Sequence, residues 1–229
     1  MLTPQCRILQ VAAAAEKPFC IKFGEGPVST NLVCGYLACD AQPFNPLLDS
    51  LPPVIKVGDP AHDGVGWISQ FIRLAVTEAT GKHAGSESVL TKLSELLFIE
   101  VVRRHLESLP PEQTGWLSGL RDPLVGKAMS LMHARPAHDW AIDELAREAG
   151  ASRSVLAERF TKLIGMPPIH YLAKWRMQIA SELLRNGKVN LARIAADVGY
   201  KSEASFSRAF KKVVGVPPAT WRRQERPWE

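Results

Sequence analysis

The stretch L-A-R-E-A-G at Leu145–Gly150, followed by S-R-S-V-L-A-E-R-F at Ser152–Phe160 and G-M-P-P from Gly165, occurs a second time in the chain. The second copy reads I-A-A-D-V-G at Ile194–Gly199, S-E-A-S-F-S-R-A-F at Ser202–Phe210 and G-V-P-P from Gly215. The offset is 49 residues before the central glycine and 50 after it, so the second turn holds one added residue, Tyr200 or Lys201. Each copy reads as a short helix ended by Gly, a tight turn, and a second helix opened by Ser. That is the layout of a helix-turn-helix, whose second helix can lie in a DNA major groove. Two such units in one chain can address two successive grooves.

What lies between and around the copies supports this reading. Pro167 and Pro168 cannot continue the preceding helix but suit the start of the next. That next helix is expected to run to about Arg185, closed by Asn186-Gly187. Asn190 can cap a helix over Leu191–Val198. Glu203–Val214 and a short helix after Pro217-Pro218 complete the second unit, and Asp122–Ala134 and Ile142–Ala149 read as helices ahead of the first recognition helix, Arg153–Leu163. A connecting helix of about 17 residues spans roughly 25 Å. With the width of the units it joins, it can hold two recognition helices about one DNA turn, ~34 Å, apart. A plain helical bundle needs neither the repeated Gly turn nor small polar residues on the outer face of both copies.

Charge divides the chain in the same place. The 229 residues carry a formal net charge of +5. Residues 1–119 hold 9 Lys/Arg against 12 Asp/Glu, whereas residues 120–229 hold 19 against 11. The basic half is the half with the duplication, as expected of a surface that meets a polyanion.

The first half reads differently. Cys20–Phe23, Thr30–Ala38 and Val54–Val57 carry β-branched and aromatic residues between Gly/Pro/Asn/Asp breaks, and are expected to be strands. From Gly66 helical spacing takes over, in Trp67, Ile68, Phe71, Ile72, Ala75 and Val76 and again in Val89, Leu90, Leu93, Leu97, Val101 and Leu106. The second of these helices has an apolar face wide enough for a contact with a second copy, or for packing on its own domain. Pro110-Pro111 and Thr114-Gly115 mark a linker. The expected class is therefore α+β: an N-terminal partial β segment with helices, then an all-α half of two helix-turn-helix units joined by a long helix. The boundaries are 1–110, a linker at 111–120, and 121–226, the last divided into units 141–164 and 190–214 around a connecting helix at 168–186. No apolar run approaches the length of a transmembrane helix, and Ile8–Ala15 makes a poor signal peptide, so a cytoplasmic protein is expected.

Certain residues match a known family. Ile194-Ala195, Gly199-Tyr200, Ser202, Phe206, Arg208, Phe210-Lys211, Gly215-Val216-Pro217 and Arg222 resemble the signature of AraC/XylS-type transcriptional regulators. Tyr171-Leu172, Trp175-Arg176-Met177, Ala180 and Leu183-Leu184 resemble that family's connecting helix. The resemblance covers about residues 120–225 and implies a bipartite DNA-binding domain at a promoter, paired with a sensor and dimerisation domain of cupin type. Leu32–Leu37, Leu47–Ile55 and Gly85–Phe98 resemble the rear part of such a sensor more loosely. Family members carry more strand residues and His-bearing motifs before this point, so an abbreviated sensor is expected, through either an incomplete barrel or a truncated start. Ala141 stands where a Thr or Ser cap is usual, which weakens the start of that helix by about 1 kcal/mol.

The recognition helices can be resolved into faces. Leu156 and Phe160, one turn apart, face the core, leaving Arg153, Ser154, Ala157, Glu158 and Thr161 outward. The same logic buries Phe206 and Phe210 and exposes Glu203, Ala204, Ser207, Arg208 and Lys211. Arg suits guanine O6/N7, Glu can accept from cytosine N4, and Ser or Ala can approach thymine methyls. The Ser202 hydroxyl suits phosphate at a helix start. Lys162, Lys201, Lys212, Arg222 and Arg223 are candidate phosphate contacts, and Arg208 could instead hold an ion pair within the domain. The expected function is a sequence-specific DNA-binding transcriptional regulator whose two recognition helices read two successive major grooves, with no catalytic residue, no metal and no cofactor. Its expected partners are double-stranded promoter or operator DNA, a small-molecule effector, RNA polymerase and a second copy of the chain. A rival from another class is a thiol-based redox sensor or cysteine-dependent enzyme domain delivered to DNA by the C-terminal half. Cys34 and Cys39 are its candidates, although neither has a His or Lys neighbour in sequence to lower its pKa. A metal-dependent cupin is disfavoured by the lack of clustered His.

Overall fold

A computed structural model describes residues 43–57, 66–81, 83–110, 114–185 and 189–224. Among these residues there are helices and no strand, which corrects the α+β expectation. Val54–Val57, read as a strand from its β-branched residues, is irregular, and Val54 is 80% exposed. A strand is held by a partner's ladder, and no neighbouring segment among the described residues supplies one. Cys20–Phe23 and Thr30–Ala38 lie outside the described residues.

The described residues divide into two compact units, one within residues 55–105 and the other within residues 43–54 and 106–224. The described part of the first holds α2 (Trp67–Gly81) and most of α3 (Ser86–Ser108). Trp67 stacks on the buried Phe71 with ring centroids 4.8 Å apart, and Ser86 donates to the Glu78 carboxylate. On α3, Leu93 is buried and Leu97 half-buried. Val89 and Leu96 stay exposed. No helix among the described residues is long and apolar enough to cross a membrane.

The other unit carries the duplication. It contains α1 (Pro46–Ser50), α4 (Trp116–Arg121), α5 (Pro123–Ala134), α6 (Ile142–Ala149), α7 (Arg153–Ile164), α8 (Pro168–Arg185), α9 (Leu191–Asp197), α10 (Glu203–Val214) and α11 (Pro218–Gln224). Part of the stretch read as a linker is thus the helix α4, with Trp116, Leu117 and Gly119 buried. A Cβ on Gly119 would stand 2.3 Å from Ile164 Cδ1, the end of a side chain that would have to shift.

Local chemistry explains the helix ends. The Asp122 carboxylate accepts from the backbone N–H groups of Leu124 and Val125, and Pro123 opens α5. Ser152 and Ser202 cap α7 and α10 through bonds from Val155 N (3.4 Å) and Ser205 N (3.2 Å). Asn190 caps α9 by accepting from Arg193 N at 2.7 Å. Ala141 makes no such bond, and Asp143 and Glu144 in the first turn of α6 offset part of that loss through the helix dipole.

Two cores flank α8. The first joins Val125, Ala128, Met129, Met132, Leu145, Leu156, Phe160 and Tyr171, all fully buried. The second joins Met177, Ala180 and Leu184 of α8 to Ile194, Val198, Phe206 and Phe210, with Trp221 beside them. The alternation follows the helix itself: α8 turns its N-terminal residues Tyr171 and Leu172 into one core and its C-terminal residues into the other. Burying each of the larger aliphatic, methionine and phenylalanine side chains contributes about 1.5–3 kcal/mol.

Candidate nucleic-acid interface

Helices α7 and α10 are each 12 residues long and are presented alike. Leu156 and Phe160 in one, and Phe206 and Phe210 in the other, are fully buried at 0% exposure, which fixes the rotation of each helix and decides what faces outward. Arg153, Ser154, Glu158, Thr161 and Lys162 of α7 are exposed, with Ala157 half-buried among them. Glu203, Ala204, Arg208, Lys211 and Lys212 of α10 are exposed, with Ser207 half-buried, and Ser202 and Lys201 are exposed in the turn before it. The two faces correspond residue by residue at a sequence offset of 50. Ala157 matches Ser207, Lys162 matches Lys212, Thr161 matches Lys211, and Glu158 matches Arg208.

Electrostatics separates these residues. Arg153 lies 3.5 Å from Asp143, and Lys201 lies 3.3 Å from Asp139, both as exposed pairs. Such pairs are worth 0.2–1 kcal/mol and exchange readily for another anion, as an order of magnitude. Among the described residues no ion pair holds Glu158 or Arg208, so the salt bridge considered for Arg208 is not formed there. Arg222, considered for phosphate, is turned inward. Its Nη2 donates to the Val189 carbonyl at 2.6 Å, tying α11 to the turn before α9. Arg223 is exposed.

Three further features escaped the sequence reading. Arg159, exposed on α7, reaches back to Asp122, the cap of α5, with Nε 2.7 Å and Nη2 2.6 Å from Oδ2. Arg176 on α8 donates Nε to the Pro136 carbonyl at 2.7 Å and Nη2 to the His138 carbonyl at 2.8 Å. Burial draws the Arg176 pKa down from its ordinary value, with Tyr200 and Asp139 opposing. A guanidinium stays charged through such a shift. Tyr200, under the same burial, has its hydroxyl pKa raised. The third feature is a chain of bonds behind α7. Trp116 Nε1 donates to the Tyr171 hydroxyl at 2.8 Å, and that hydroxyl lies 2.7 Å from His133 Nε2. His133 also stacks on Trp175, with ring centroids 4.0 Å apart. Burial pushes the His133 pKa down to about 4 and raises that of Tyr171. With Trp116 already donating to the hydroxyl, Tyr171 can place its own proton on His133 Nε2 only if that nitrogen is bare, so the network calls for neutral His133.

Comparison with known proteins places the chain. Residues 145–224 match the helix-turn-helix domain family, and residues 2–107 match the cupin family. The chain is 42% identical over 183 residues to an AraC-like transcription regulator of Streptomyces antibioticus, covering 79% of this chain and 59% of the relative. It is 32% identical over 181 residues to the HTH-type transcriptional regulator AlkR of Acinetobacter baylyi, covering 79% and 59%. To the RCS-specific HTH-type transcriptional activator RclR of Escherichia coli it is 30% identical over 201 residues, covering 86% of this chain and 69% of RclR. The chain belongs to the AraC/XylS family of transcriptional regulators. It spans about three-fifths of the length of the first two of these relatives. The matched helix-turn-helix segment contains the whole of α7 to α11 and includes both faces described above. Cys34 and Cys39, on which the thiol-based rival rested, lie outside the described residues.

Proposed function

We propose that this chain is a sequence-specific DNA-binding regulator of transcription that lays α7 and α10 into two successive major grooves of promoter DNA. The observation that carries the reading is the matched pair of outward faces: two helices held in equivalent rotation by buried phenylalanines, each basic toward its C-terminal end. Between them runs α8, whose 18 residues extend roughly 27 Å. That length, with the helix widths added, suits recognition helices one turn of B-DNA apart, ~34 Å.

The residues divide by task. Arg153, Ser154, Ala157, Glu158 and Thr161 of the first helix, and Glu203, Ala204, Ser207, Arg208 and Lys211 of the second, face base edges. Lys162, Lys201, Ser202 and Lys212 meet phosphate, setting register without reading sequence. Contact is non-covalent throughout. The domain boundaries 1–110 and 121–226, a small-molecule effector, RNA polymerase, a second copy of the chain and a cytoplasmic location belong to the same proposal, supported by the family.

The test is the salt dependence of binding. Anisotropy of a labelled random 30-base-pair duplex pool should show log affinity falling with log salt at a slope of about −5, as for some six neutralised phosphates. Affinity that does not change between low and moderate salt would remove the reading.

A further inference from the structure

The duplication is imperfect at one place, and the structure shows what the imperfection touches. The second turn is one residue longer than the first, in Tyr200 or Lys201. Lys201 reaches the segment that leads into the first helix-turn-helix unit, residues 135–139, directly, and Tyr200 reaches it through Arg176. Lys201 pairs with Asp139, and the Tyr200 ring receives the Arg176 guanidinium, with the cation 5.7 Å from the ring centroid. Arg176 in turn holds the carbonyls of Pro136 and His138. Gly199 completes the contact: a Cβ on it would stand 2.5 Å from the Ala137 carbonyl oxygen. The equivalent glycine of the first copy, Gly150, has nothing within 4 Å of such a Cβ. The two turns therefore share a backbone shape, with φ of 91° and 81°, but only the second is pressed against the other half of the domain.

We infer that Arg176, with the turn Gly199–Lys201, is a clamp that fixes the spacing of the two base-reading helices, and so sets the separation of the two half-sites the protein accepts. The inference rests on the two-groove reading above. A single helix joining two units leaves bending and twisting free over its length. A second connection on the other side of the same pair removes that freedom. The clamp supplies it with two bonds to backbone carbonyls, which cannot swing away as side chains do, and with a ring that packs on the cation. Tyr200 also stands edge-on to Phe206 at 5.8 Å, so the clamp ends on the residue that sets the rotation of α10. A charged donor shared by two carbonyls in a half-buried setting is among the stronger hydrogen-bonding arrangements. Arg176 touches no base in this account. It is a positioning residue, acting through α10.

The test is selection of binding sites from a random 30-base-pair duplex pool by the full chain and by Arg176→Lys, Arg176→Gln and Tyr200→Ala. Wild type should return two blocks of preferred bases at one sharp separation. Each variant should return the same two blocks with the separation spread over at least one further base pair. Measured on duplexes carrying the two blocks at altered spacing, the variants should lose at least half of the wild type's preference for the best spacing. Arg176→Lys keeps the charge and Tyr200→Ala leaves the guanidinium in place, so folded protein is available whichever variant is tolerated least, and melting curves identify it. The inference fails if folded variants return the wild-type blocks at the wild-type separation, or if they lose affinity for every spacing by the same factor. If the wild type selects no sequence at all, the two-groove reading itself has failed.

Discussion

Lowering the pH should destabilise the DNA-binding half through one residue, His133. In the folded chain its pKa lies near 4, against an ordinary value of 6.5. Between those two values the unfolded chain binds a proton that the folded chain refuses, so stability falls as pH falls across that window. Above about pH 6.5 the contribution is fully present, and below about pH 4 it has gone. A gap of about 2.5 units corresponds to about 3 kcal/mol, a sizeable share of a domain's total. The structural cause is specific. A proton on Nε2 would make His133 a donor toward a hydroxyl that already accepts from Trp116, leaving the Tyr171 proton facing apolar rings. The assay is urea unfolding of wild type and His133→Phe, followed by tryptophan fluorescence at steps from pH 7.5 to 4.5. Phe keeps the stack on Trp175 but cannot titrate, so the difference between the two proteins isolates this group. Wild type should be the more stable protein at pH 7.5, because the variant loses the acceptor for Tyr171, and the gap should shrink and then reverse toward pH 4.5. A difference that stays constant with pH would refute the reasoning.

Three further outcomes follow from the geometry. Gly150→Ala should cost only the left-handed backbone strain of about 1–2 kcal/mol, while Gly199→Ala adds contact with the Ala137 carbonyl and should melt several degrees lower than Gly150→Ala; equal melting temperatures would show that the second turn is not pressed on that segment. Arg208→Ala should relax sequence preference in one half-site only, by about 1–3 kcal/mol, and Glu158→Ala should lower discrimination in the other with affinity held or raised; uniform weakening over all sequences would make Arg208 a phosphate contact. Leu96→Lys, at an exposed position of α3, should turn a dimer into a monomer by sedimentation; a wild-type chain that already sediments as a monomer would remove the dimer.

Much of the helical half was legible in the sequence because its ends are punctuated by side-chain chemistry that acts locally. Ser152, Ser202 and Asn190 cap from within three residues, and Gly150, Gly165 and Gly215 close helices by backbone shape alone. Leu156, Phe160, Phe206 and Phe210 were read correctly as buried because a one-turn spacing admits only one face. α4 was missed because six residues with an internal glycine give no helical period. Val54–Val57 was misread because β-branched residues state a preference, while a strand needs a partner. Arg176 and Gly199-Tyr200 stood out only as family-like residues and their role as a clamp did not, since the acceptors of Arg176 are backbone carbonyls about 40 residues away, and any residue supplies a carbonyl. Arg222 was misplaced for a related reason: in sequence, an arginine spent on a carbonyl looks like one reserved for phosphate.

The most direct test of the central claim is a hydroxyl-radical footprint of the full chain on a duplex selected from random DNA. Two protected patches, about 10 base pairs apart on one face of the duplex and differing in sequence, are the predicted result. A single protected patch, or two related by a palindrome, would contradict the account of two unlike recognition helices reading successive grooves from one chain.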